Sequence, residues 1–286
     1  MVILENKQLT LQLSEHGAEA HSLKNKKSGI EYIWNGDPSF WFRHAPILFP
    51  LSGPTRDNKI VVEGREYSLP NNGFARDSEF KVNKVEDDKA SFILEESEET
   101  LRMYPFGFVL TVEYMLTASG FVLRSTIESK QDGMHFVYAW HPALNLDINK
   151  DADFDSYSIT FSEKEHQDRD CMQNKVFVTT KNGFIGNRLF LKRTDTDKGP
   201  IILHNVKSRT VRFSSSKGEH GALLDMGELH TLVCWSPEGK NAPFVCVEPM
   251  FSFGDSTRDL NIEKMSGTLC LNKGEKKTFT NSIMVF

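Results

Sequence analysis

The sequence is short of the features that would fix its class at once. No apolar run approaches the ~18 residues that a membrane-crossing helix needs. The N-terminus, Met1-Val2-Ile3-Leu4-Glu5-Asn6-Lys7, lacks a basic start followed by an apolar stretch, so no secretory leader is expected. Positive charge is not in excess: 34 Lys and Arg stand against 39 Asp and Glu, a net charge of −5, which argues against a nucleic-acid binder. Cysteine is scarce, at four in 286 residues. Cys171, Cys234, Cys246 and Cys270 are far apart, with no CxxC pair and no zinc-like clustering. They read as buried reduced thiols in a cytoplasmic protein, with no disulfide and no metal.

Helical signal is sparse as well. Its best candidate, Ser97 to Arg102, is too short to organise a domain. What is present is period two. Phe106, Phe108, Leu110, Val112, Tyr114 and Leu116 alternate with Val109, Thr111 and Glu113. After a turn at Thr117-Ala118-Ser119-Gly120 the run Phe121 to Glu128 alternates again, which predicts a β-hairpin. The same texture marks Leu9–Leu13, His135–Trp140, Ser158–Phe161, Val211–Phe213, Thr231–Trp235, Phe244–Val247 and Thr278–Val285. The 21 phenylalanines suit sheet faces packed on one another. Strands that follow strands imply large antiparallel sheets, and no linker or composition shift splits the chain. The expectation is one all-β domain over residues 1–286.

Two segments place a titratable residue after an apolar strand and before proline: Val137-Tyr138-Ala139-Trp140-His141-Pro142 and Phe244-Val245-Cys246-Val247-Glu248-Pro249. The residue before proline is driven to extended geometry, and proline cannot continue a central ladder. His141 and Glu248 are therefore expected at strand ends, each with a fixed direction. A carboxylate on so apolar a strand is partly desolvated, which raises its basicity, and a histidine titrates near neutrality. Together they suit a general base and a general acid. From the pattern alone, a hydrogen-bonded structural histidine is the commoner reading of His141.

A third segment adds specificity: Pro46-Ile47-Leu48-Phe49-Pro50-Leu51-Ser52-Gly53, followed by Asn72-Gly73-Phe74-Ala75-Arg76-Asp77. With Gly17-Ala18-Glu19, Glu31-Tyr32-Ile33-Trp34-Asn35-Gly36, Tyr104-Pro105-Phe106, His141-Pro142-Ala143-Leu144-Asn145 and Ala242 to Pro249, the chain resembles the aldose 1-epimerase (galactose mutarotase) family nearly end to end, most closely its short bacterial branch. The resemblance implies a β-supersandwich of large antiparallel sheets with a sugar groove across one sheet. It implies interconversion of the α and β anomers of a free hexose, with no cofactor and no metal. Glu248 matches the base that takes the anomeric proton, and His141 the acid that protonates the ring oxygen. Arg76 matches a residue that contacts sugar hydroxyls.

Two positions depart from the family pattern. Asn72 stands where relatives usually carry histidine; asparagine can hydrogen-bond a sugar oxygen but cannot move a proton. Pro54 stands where they usually carry arginine, with Arg56 two residues on as a candidate replacement. Trp235 is a candidate to stack on a sugar face or to pack in the core. His44 reads as a surface histidine. A hexose 6-phosphate 1-epimerase would need Arg43, Arg56 and Arg76 to converge on a phosphate. A carbohydrate-binding or sensing protein with weak turnover is the rival that Asn72 keeps open. The expected partner is a small-molecule sugar, with no nucleic acid and no membrane, and the chain is expected as a monomer or homodimer.

Overall fold

Alternation of apolar and polar side chains decides the architecture, because each strand then has one face to bury. In the computed structural model, which describes residues 1–286, the hairpin read from Phe106 onward forms strands Phe108–Leu116 and Gly120–Ser129, with Phe121 opposite Leu116. The first of these strands buries every second residue. The helix Glu98–Met103 starts where expected. Ser97 caps it by accepting from the Thr100 N–H, and the Thr100 hydroxyl oxygen accepts in return from the Ser97 N–H.

Thirteen strands form one continuous antiparallel path, and two side strands complete a 15-stranded sheet. One end of the path is Ile47–Leu48, Ala139–Trp140, Phe244–Met250 and Thr231–Trp235; the other is Gly120–Ser129, Phe108–Leu116, Lys89–Glu95 and Lys81–Val85. Twist does not let so many strands lie flat. The sheet curls until its two ends face each other: the Phe121 ring meets Trp140 at 6.0 Å, Phe108 meets Phe49 at 5.1 Å and Tyr138 stacks on Phe279 at 4.4 Å. One cluster of 65 buried residues fills the space between. This is the all-β supersandwich that the resemblance implies. A three-stranded sheet at Val2–Glu5, Leu9–Leu13 and Ala20–Asn25 stands beside it.

Two strand expectations are corrected. His135–Trp140 splits into Met134–Phe136 and Ala139–Trp140, because the chain changes partner there, from Leu269–Leu271 to the large sheet. Ser158–Phe161 belongs to a much longer strand, Tyr157–Gln173, hairpinned with Val176–Phe190. Register shifts between Thr160 and Glu165 and between Gln167 and Arg169 break the alternation, and the charged run Glu163 to Asp170 hides the ladder. The cysteines divide: Cys234 and Cys246 are buried, Cys171 is partly buried and Cys270 is exposed.

Leu123 is fully buried in the wall of the main core. Leu123→Ala should lower the unfolding free energy by about 2–5 kcal/mol, read as a lower urea midpoint at unchanged slope.

Candidate active site

Strand Phe244–Met250 is buried along its whole length and pairs with Thr231–Trp235 on one side. On the other side it faces Ala143 at Cys246 and Ala139 at Met250. Carrying that register across the intervening residues sets His141 opposite Glu248, Pro142 opposite Val247 and Trp140 opposite Pro249. The Val247 N–H donates to the Pro142 carbonyl at 3.0 Å, and the Phe251 N–H to the Tyr138 carbonyl at 3.0 Å. Pro249 falls between these two donors, facing the same neighbour. Each proline thus removes one donor from the pairs flanking His141 and Glu248. The two titratable residues form the non-hydrogen-bonded pair, in which side chains approach most closely. The His141 N–H turns the other way, to the Pro46 carbonyl at 2.9 Å.

His141 follows a strand end, as expected, but Glu248 sits inside its strand. Pro249 does not stop that strand, because its missing N–H lies where no ladder bond on the Thr231–Trp235 side is lost.

The His141 Nε2 lies 3.2 Å from the Glu248 Oε2. Burial pushes the Glu248 carboxyl well above the usual carboxylate range, against the opposing pull of the Arg76 guanidinium. Burial, with Arg76 adding to it, pulls the His141 imidazole down to about 3. Each group alone therefore favours its neutral form. A nitrogen and an oxygen at this spacing also need a proton between them, so the pair holds one. The Glu248 Oε1 and His141 Nδ1 are buried with no hydrogen-bond partner, as polar atoms at ligand sites often are.

Arg76 reaches the same groove from the short turn Ala75–Asp77. Arg43 braces that turn, donating to the Arg76 carbonyl at 3.1 Å and pairing with Asp77 at 2.6 Å. Burial pulls the Arg76 guanidinium down to about 10, so it remains charged at neutrality. Asn72 lines the groove with a left-handed backbone (φ 66°), and its Oδ1 accepts from the Gly53 N–H at 2.7 Å. Gly73 follows with φ 70°, and a Cβ there would lie 2.2 Å from the Phe49 carbonyl oxygen.

The wall is aromatic. Trp41 stacks on the His141 ring at 5.0 Å and 25°, and Trp235 meets it edge-on at 5.9 Å. The opposite rim is the tip of the long hairpin. Asn174 and Lys175 both have positive φ, as a two-residue hairpin turn of primed type requires. That tip is pinned: Phe177 N–H donates to Asp255 at 2.8 Å, and Ser256 N–H donates to the Lys175 carbonyl at 2.8 Å. The groove encloses about 400 Å³, in the range of small-ligand sites.

Of the residues singled out in the sequence, Glu248, His141, Asn72, Arg76 and Trp235 line this groove together. Arg56 does not. It is exposed on the turn Arg56–Asn58, where a 3₁₀ turn aims it away from the strand ends. His44 is not a plain surface residue: its ring stacks on His21 at 3.8 Å, above the carboxylate of buried Glu19. An ion held by both imidazoles would have to lie in two parallel ring planes, so this trio suits hydrogen bonding better than a metal. Glu19 accepts the backbone N–H groups of His44 and of Ala45, the latter at 2.7 Å. Trp41, Lys175 and Glu19 carried no periodic signal of a site. For Lys175 a two-residue turn signal, Asn-Lys between β-branched and polar runs, was the one available trace.

A family model described as aldose 1-epimerase matches residues 1–276. Protein LacX (plasmid) of Lactococcus lactis subsp. lactis is 30% identical over 279 residues, covering 91% of this chain and 90% of that protein. A galactose mutarotase-like protein from Lactobacillus casei ATCC 334 superposes with a TM-score of 0.93 at 32% identity, covering 100% of both chains. A galactose mutarotase related enzyme from Lactobacillus acidophilus gives a TM-score of 0.92 at 23% identity, over 100% of this chain and 97% of that one.

Glu19 generates a pH test. Burial pushes its carboxyl up, but the His21 and His44 imidazoles, at 3.6 and 3.8 Å, and the His44 backbone N–H outweigh this and bring it from the ordinary 4.5 to about 2. A depressed folded pKa stabilises fully above the unfolded value and is lost as pH falls through the folded one. Glu19→Gln keeps an acceptor for the two N–H groups and removes the titration. Its unfolding free energy should fall less than that of the parent between neutral and strongly acid pH, by roughly 3 kcal/mol at 1.36 kcal/mol per pKa unit. Chemical denaturation across that range reads the difference.

Proposed function

The chain belongs to the aldose 1-epimerase family, and on that premise we propose that it interconverts the α and β anomers of a free hexose by general acid–base ring opening. The observation that carries this reading is the His141–Glu248 pair, two buried groups 3.2 Å apart facing a sugar-sized groove beside Arg76. In the carboxylate–imidazolium form of the pair, Glu248 takes the proton from the anomeric hydroxyl and His141 gives its proton to the ring oxygen. The bond from the anomeric carbon to the ring oxygen breaks, its electron pair going to that oxygen, and the hydroxyl oxygen becomes the aldehyde carbonyl. Rotation about the bond to the next carbon and the reverse transfers close either anomer. Both oxygens hang on one carbon, which suits an acid and a base that stand directly opposite each other. The Arg76 charge favours the ionised form of Glu248. Trp41 and Trp235 offer aromatic surface to the sugar.

The free sugar is favoured over its 6-phosphate. Arg43 is spent on Asp77 and the Arg76 carbonyl, and Arg56 lies outside the groove, so the three arginines do not converge. Asn72 leaves the carbohydrate-binding reading as the alternative, since its amide can hold a sugar oxygen without moving a proton. The main core draws on residues from Leu4 to Val285, which supports one domain across the chain. Four unpaired cysteines support a reducing compartment, the cytoplasm.

Polarimetry of freshly dissolved α-glucose and α-galactose tests the activity. Glu248→Gln should lower kcat by about 10²–10⁴-fold while sugar binding persists. Because the active carboxylate–imidazolium form holds the one shared proton and burial raises the pKa at which that proton is lost above the ordinary 4.5, activity should fall on the alkaline side of that raised pKa. Asn72→His should raise the rate; an unchanged or lower rate with sugar still bound favours the binding or sensing protein.

A further inference from the structure

We propose that His141, Cys246 and Glu248 form a binding site for a thiophilic divalent cation such as Zn²⁺, and that the bound ion silences the acid–base pair. A nitrogen of His141, the Sγ of Cys246 and a carboxylate oxygen of Glu248 all lie within 4.8 Å of one another, and all three residues are buried. The sheet makes this triangle. Cys246 and Glu248 are two residues apart on one strand and so share a face, while His141 stands opposite Glu248 and diagonal to Cys246. The 3.2 Å between Nε2 and Oε2 is close to the edge of a zinc tetrahedron, ~3.3 Å for bonds of ~2.0 Å.

A second observation points to a ligand. Glu248 is 2% exposed, yet its Oε1 has no partner. His141 and Glu248 both line the groove, so water or a sugar hydroxyl from it can complete the tetrahedron, as in metal sites with three protein ligands. Charge also balances. The two charges of the ion offset those of the Cys246 thiolate and the Glu248 carboxylate, so the occupied site is neutral, which low-polarity surroundings require. The thiolate selects zinc or cadmium over magnesium or calcium. A bound ion occupies the nitrogen and the oxygen that proton transfer needs, so turnover stops.

The binding readout does not depend on sugar chemistry. Cd²⁺ is titrated into the reduced, chelator-treated full chain and followed by the ultraviolet charge-transfer band of a cadmium thiolate; Zn²⁺ is followed by calorimetry. The expected result is one ion per chain. Cys246→Ala should abolish the band and weaken Zn²⁺ by at least about tenfold, the least that even an outer-shell partner of a metal site is worth. Glu248→Gln should weaken Zn²⁺ as well, and Cys270→Ala, at the exposed thiol, should change nothing. Zn²⁺ should inhibit the parent enzyme, whereas the turnover that Cys246→Ala retains should be insensitive to Zn²⁺. If Cys246→Ala does not fold, Cys246→Ser supplies the same comparison with smaller loss of volume. No ion bound, or a band that survives Cys246→Ala, overturns the site. A chain that binds cadmium through Cys246 but shows no mutarotation overturns the proposed activity and leaves the metal site standing.

Discussion

The contact between His141 and Glu248 rests on strand register, which sets them opposite each other as a non-hydrogen-bonded pair with a proline beside it on each facing strand. A normal ladder would clamp the strands by paired hydrogen bonds on both sides of this pair. Pro142 and Pro249 each delete one donor from those flanking bonds, and the register keeps the pair's close cross-strand approach inside a buried strand. The reverse faces of the same two segments carry Trp140, Val245 and Val247, all within the main core. The acid–base pair is thus mounted on the best-packed part of the molecule, and side chains fixed in this way hold their geometry without a ligand's help.

Burying two ionisable groups costs free energy unless they neutralise each other. Here one shared proton does that, and Arg76 stands near enough to bias where the proton sits. Arg76 depends in turn on Arg43 and Asp77 for its turn, and on Gly73, whose left-handed backbone lets the loop pass against the Phe49 carbonyl. Glu19 ties down the segment containing His44 and Ala45. That segment continues into Pro46, whose carbonyl receives the His141 N–H, and the Ala45 carbonyl receives the Trp140 indole N–H at 3.1 Å. A buried carboxylate far from the groove in the chain therefore helps fix the backbone of the acid.

The departures from the family pattern have structural counterparts. Asn72 uses its side-chain oxygen on the Gly53 N–H, holding the two loops of the groove together. Near Pro54 a guanidinium is present after all, from a different part of the chain: Arg258 donates to the Ser52 carbonyl at 2.6 Å and lies against Gly53. Arg56, adjacent in sequence, is turned to solvent.

Local rules made much of this legible in advance. Period-two alternation marked the Phe108–Ser129 hairpin and Thr231–Trp235, and the Ser97 cap marked the helix, because each rests on neighbours a few residues away. The His-Pro and Glu-Pro dipeptides were legible for the same reason, since proline restricts the residue before it. What the sequence could not settle was the register that sets His141 opposite Glu248, the passage of a strand through Pro249, and the arrival of Trp41, Lys175 and Arg258 from distant segments. Those depend on which strands pair and how far the sheet curls. The hydrophobic core fixes both, through contacts such as Phe49 with Phe108 and Tyr138 with Phe279 between distant segments, and no short window of sequence contains them.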